Sequence, residues 1–150
     1  MRMKWLMFLI TVCFLVSCAS EKLPPLLAFH VQTDNQEERD TLRVALTDPP
    51  SVIRVEKDPW LTEEDVEVAM VQKDGKVLLT LTADGGEKLK KLTHENQGRV
   101  LIIAFNQRVV FAPVMDQALD GRFFVVPYGL TPEDANYLND MIIQKKTWKK

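Results

Sequence analysis

The chain has 150 residues, 27% of them charged, with 19 basic and 21 acidic side chains and a net charge of −2. That length suits one small domain with a modest core, and the slight acidic balance excludes a general nucleic-acid binder, which needs surplus positive charge to neutralise phosphates. Two histidines, two cysteines and no HExxH, GxSxG or P-loop spacing leave little from which to build an enzyme or a metal centre.

Arg2 and Lys4 precede an apolar run from Leu6 to Val16, which is the layout of a secretory signal. The run is shorter than the ~20 apolar residues that cross a bilayer. It ends in Leu15-Val16-Ser17-Cys18, which resembles the lipobox of bacterial lipoproteins. There a lipid is attached to the cysteine and the preceding peptide bond is cut. The resemblance implies a signal peptide over residues 1–17 and a membrane anchor at lipidated Cys18. It also implies a place in the cell envelope, and Ala19 points to the outer membrane, facing the periplasm, in a cell with two membranes. Cys13 would leave with the signal, so no thiol would remain for a disulfide or a cysteine metal site. Residues 18–25, ending in Pro24-Pro25, read as a tether.

Residues 26–144 read as the folded domain. Leu26 to Val31 is a β-compatible run containing His30, a histidine expected to be packed or half-exposed. Thr33 to Asp40 is polar, a loop or frayed helix, and short strands are expected at Leu42–Ala45 and Val52–Val55, around Asp48-Pro49-Pro50. Trp60 suits a lid on the core better than a binding platform. Val66–Gln72 and Lys76–Thr82 are joined by Asp74-Gly75, a strong hairpin signal. In the second of these strands Val77, Leu79 and Leu81 fall on one wholly apolar face. Asp84 is expected to cap a helix that begins near Gly85 and ends at Gly98. Arg99–Phe105 and Arg108–Ala112 form a second hairpin through Asn106-Gln107, followed by one helical turn over Val114–Leu119 and a strand over Arg122–Val126. Thr131-Pro132-Glu133-Asp134 opens the last helix with a cap, a proline and two acids, and Ala135, Leu138, Met141 and Ile142 make its apolar stripe. Lys145 to Lys150 is a basic tail, either solubilising or touching anionic lipid beside Trp148.

The expected class is α+β: a mainly antiparallel sheet with two helices on one face, ferredoxin-like in topology. Thr93-x-x-Asn96-x-Gly98, Val100 to Ala104, Val110-Phe111-Ala112-Pro113, Gly121 and Gly129 to Ala135 resemble the periplasmic head subdomain of SecD and SecDF. Upstream, Val55-x-x-x-Pro59-x-Leu61-Thr62-x-x-Asp65 fits the same pattern, so the likeness spans about Val52 to Ile142. SecD and SecDF are membrane proteins that assist protein export. The likeness implies the head fold and contact with polypeptide. The multi-span membrane portion of that family is absent from this sequence, and family members commonly carry an Asp-Gly-type turn where this chain has Asn106-Gln107.

No catalytic, cofactor or metal residue is assigned. Glu63, Glu64 and Asp65 read as a solvated helix start rather than an acid–base or metal cluster, and His94 with Glu95 as an exposed helix end. Alternation along Arg122–Val126 sends one of Phe123 and Phe124 inward. Phe124 is taken as the outward one, forming with Tyr128 an apolar patch for an envelope protein partner. A small or lipid ligand held between sheet and helices is the alternative function.

Overall fold

A computed structural model describes residues 23–47 and 49–148. The expected signal peptide, Cys18, most of the expected tether and the last two lysines lie outside the described residues. The described strands are β1 (Leu27–Val31), β2 (Thr41–Thr47), β3 (Pro50–Glu56), β4 (Leu61–Thr62), β5 (Val66–Val71), β6 (Val77–Leu81), β7 (Leu101–Phe105), β8 (Arg108–Phe111) and β9 (Phe123–Val126). The helices are α1 (Ala83–Glu95) and α2 (Pro132–Trp148), with a 3-10 turn at Glu63–Asp65. All the pairing is antiparallel and falls into three ladders, β4-β1-β7-β8, β2-β3 and β5-β6-β9. The expected α+β class with antiparallel strands and two helices holds. Its strands are divided among separate ladders rather than joined in one sheet.

The core lies where two of these ladders face each other. Leu27, Phe29 and Val31 of β1 stand opposite Phe105, Ile103 and Leu101 of β7, and all six are buried. Val77, Leu79 and Leu81 of β6 meet them from the other side, as their alternation requires. Phe29 and Phe124 join the two layers edge to face, with ring centroids 5.4 Å apart. Leu89 and Leu92 of α1 and Ala135, Leu138 and Ile142 of α2 complete the cluster.

Several local expectations change. Thr82, not Asp84, caps α1: its hydroxyl accepts from the Gly85 N–H at 2.9 Å. Two glycines then sit in the first turn, where each weakens a helix by ~1 kcal/mol relative to alanine. Close approach explains them, because a Cβ on Gly85 would lie 2.4 Å from the Asp65 carbonyl oxygen. Val114–Leu119 is not helical. Its start pairs back on the preceding segment: Leu101 N–H donates to Pro113 O, Met115 N–H to Arg99 O, and Gly98 N–H to Met115 O. Those bonds hold the chain extended. α2 continues through Trp148, so Lys145 to Trp148 belong to the helix rather than to a tail.

Two turns answer their sequences. Gly75 takes φ 83° between β5 and β6. Asn106 and Gln107 take φ 48° and 62° between β7 and β8, the paired left-handed geometry of a tight hairpin. Asparagine tolerates that region better than glutamine does.

Candidate functional site

Alternation along β1 and β7 puts Ala28, His30, Ile102 and Ala104 on the face turned away from the core. The β2–β3 hairpin lies over this face and adds Val44, Ile53 and Val55, while Val109 and Phe111 extend it along β8. Together they enclose a half-open groove of about 1510 Å³. Ala28 and Ala104 stand directly opposite each other on its floor, where both side chains are small. Tyr128 also lines it, 64% exposed, its ring edge-on to Phe111 at 5.2 Å between centroids. Arg43, Lys57, Asp58, Glu64 and Arg108 put both signs of charge along its walls.

His30 is the one imidazole in this groove. Its Nδ1 lies 2.9 Å from the Glu56 carbonyl oxygen, which can only accept, so Nδ1 carries the proton and donates. Burial lowers its pKa from the ordinary 6.5, against the opposing pull of the Glu56 carbonyl and of negative Asp58 and Glu56. The imidazole is therefore neutral at pH 7, and the floor carries no charge there. The unfolded chain takes up this proton first as the pH drops. The stability it contributes is thus complete above 6.5 and lost as the pH falls through the lower folded value. His30→Gln should flatten the loss of stability as the pH falls below about 6.5, as read by denaturant titration. An unchanged slope in that variant would mean that His30 contributes nothing to it.

The acidic trio is not a solvated helix start. Thr62 and Asp65 form a reciprocal cap around the 3-10 turn, the Thr62 hydroxyl accepting from Glu64 N–H and Asp65 accepting from Thr62 N–H. Glu63 is 5% exposed, accepts from Leu27 N–H and is paired with Lys145 of α2. Asp65 is 6% exposed and paired with Lys88 at 2.7 Å. These pairs tie α1 and α2 to the start of β1 and to the turn. Among the described residues no group of three or more His, Cys, Asp or Glu side chains is arranged to hold a metal ion. Lys145→Met leaves the buried Glu63 without its cation, and we expect it to cost about 2–3 kcal/mol, less than a fully buried pair because the ammonium is partly solvated. Glu63→Gln in the same chain should recover most of that in a double-mutant cycle. Equal stability of Lys145→Met and the parent would show that the pair contributes nothing. His94 and Glu95 are exposed on α1, as expected.

Of the two expected patch residues, Phe124 is corrected. It pairs with Leu79 of β6, whose side chain is buried, and so turns to the same inner face at 6% exposure. Phe123 is the outward ring, 69% exposed. Tyr128 is exposed but belongs to the groove, not to a patch with Phe124. Trp60 packs against the core and donates its indole N–H to Glu56 at 2.6 Å, the role of a lid. The groove itself was missed. Its one sequence signal is the pairing of small residues, Ala28 and Ala104, at outward positions of otherwise bulky strands.

The model of the SecDF P1 head subdomain matches residues 36–143. Two solved structures share the fold. One, described as a crystal structure of SecDF in a super-membrane-facing form, is 26% identical with a TM-score of 0.57 and covers 77% of this chain. The other, described as SecDF, a membrane component that enhances protein export, is 23% identical with a TM-score of 0.54 and covers 79%. The chain spans only 18% and 61% of their respective lengths. No curated protein sequence matches it. No described helix is long and apolar enough to cross a membrane. With the family model matching well over half of its length, the chain belongs to the SecDF P1 head subdomain family.

Proposed function

We propose that this protein is a non-catalytic, lipid-anchored interaction module of the cell envelope, and that its groove takes an extended segment of polypeptide. The groove is the observation that carries the reading. At about 1510 Å³ it exceeds the ~300–1,000 Å³ that suits a drug-sized ligand. Its apolar floor and walls of both charges suit a chain of mixed side chains better than a ligand of one charge. Kinship with the head of SecDF, itself described as enhancing protein export, points the same way. The alternative, a small or lipid ligand between sheet and helices, has less to support it. That space is filled by Leu89, Leu92, Leu138 and the side chains they meet.

The anchor rests on Cys18. Cys18→Ser should leave an unacylated precursor, since a hydroxyl cannot replace the thiol in thioether formation. Mass spectrometry of the envelope fraction decides it, and an acylated mature chain from this variant would end the lipoprotein reading. Capture from detergent-solubilised envelope tests the groove. Polypeptide should be recovered with the parent chain and lost with Ala104→Phe. Equal recovery from both would remove the groove from the account.

A further inference from the structure

β9 is the outer strand of its ladder, and its free edge carries backbone groups that no described residue takes up. Leu81 N–H donates to the Arg122 carbonyl at 2.7 Å, and Thr80 stands opposite Phe123. Opposed residues in an antiparallel ladder alternate between bonded and non-bonded pairs. Arg122, Phe124 and Val126 therefore face β6 with their N–H and C=O groups, and Phe123 and Val125 turn theirs outward. The side chains of these same two residues are 69% and 40% exposed. Leu78 and Met70, in register with Val125, continue an apolar surface across the sheet.

The opposite edge is blocked at its middle. Asn139 of α2 accepts from Ala69 N–H at 2.8 Å and donates to the Ala69 carbonyl at 2.9 Å, standing where a further strand would be. One edge of the ladder is thus capped from within and the other is left open.

We infer that β9 pairs with β9 of a second copy, antiparallel, about a two-fold axis passing through Phe124. That register sets Phe123 opposite the second copy's Val125, and each symmetric pair exchanges both of its hydrogen bonds. A slip of one residue would present the inward groups of Phe124 to the outward groups of the other copy. A slip of two would oppose Pro127, which has no N–H, or Gly121, whose φ of 117° lies outside the strand. The self-paired register alone uses every free group. It also makes an aromatic–β-branched cross-strand pair, a favourable combination. Arg122, flanking the seam, is already held by Glu67 at 2.6 Å, so no unpaired cation meets its symmetry mate. A two-fold pairing is closed on itself, and Asn139 blocks the middle of the far edge, so pairing stops at a dimer rather than extending into a filament.

The test is light scattering of the detergent-solubilised full chain over a wide dilution series, with amide hydrogen exchange on the same samples. A monomer–dimer equilibrium is expected, with the Phe123 and Val125 amides protected only in the dimer. Val125→Pro removes an outward donor without removing a bond to β6, and should weaken the dimer about tenfold or more. Phe123→Lys should do the same, and because this side chain already faces outward it decides the matter if the proline variant fails to fold. A monomer at every concentration would overturn the inference. So would a dimer insensitive to the variants, or one in which those two amides still exchange freely.

Discussion

Phe124→Ala is expected to lower the unfolding free energy by about 3–5 kcal/mol, whereas Phe123→Ala changes it by no more than about 0.5 kcal/mol. The two rings are neighbours in sequence and differ only in the face to which the pleat sends them. Phe124 lies against Phe29 between the two main ladders, so truncation opens a cavity that packed neighbours on both sides fill poorly. Within one copy Phe123 loses only solvent-facing area, and the comparison is made at dilutions where the chain is monomeric. Denaturant titration with unchanged m-values would report the difference directly. The reverse result would place β9 one residue out of register, because a slip of one exchanges the two faces.

Ala104→Phe is the second large effect, on binding rather than on stability. Ala104 faces Ala28 across the groove floor, and a benzyl group there takes the space a bound segment needs. The new side chain points away from the core, so the melting temperature should move by only a few degrees. Binding of polypeptide should fall by about tenfold or more, the usual consequence of filling the centre of a contact surface. Tyr128→Ala, at the exposed margin, should weaken binding less.

The elements whose cause is local were legible in the sequence. The Asp74-Gly75 turn needs a positive φ that glycine supplies, and the apolar alternation of β6 names its buried face without reference to anything else. Thr131 and Asp134 bond reciprocally at 3.0 and 3.1 Å, as the start of α2 suggested. The misreadings have non-local causes. Whether Phe123 or Phe124 turns inward depends on the register between β6 and β9, which are distant in sequence: Arg122, just before β9, donates its Nε–H to the carbonyl of Leu81, 41 residues earlier. Glu63 looks like a solvated acid beside two others until Lys145, 82 residues on, is brought to it. Gly85 looks like a helix start until the Asp65 backbone is placed against it. The groove arises from a hairpin lying over the outer face of a different ladder, and periodicity within a single strand carries no trace of that arrangement.

The central claim is that the groove holds extended polypeptide. Titrating reduced, carboxymethylated α-lactalbumin, a soluble chain that stays unfolded, into the protein while following fluorescence anisotropy tests it most directly. The account predicts saturable binding by the parent chain, competition by unlabelled unfolded chain, and a loss of about tenfold or more with Ala104→Phe at unchanged melting temperature. No saturable binding by the parent, or equal binding by parent and Ala104→Phe, would contradict it.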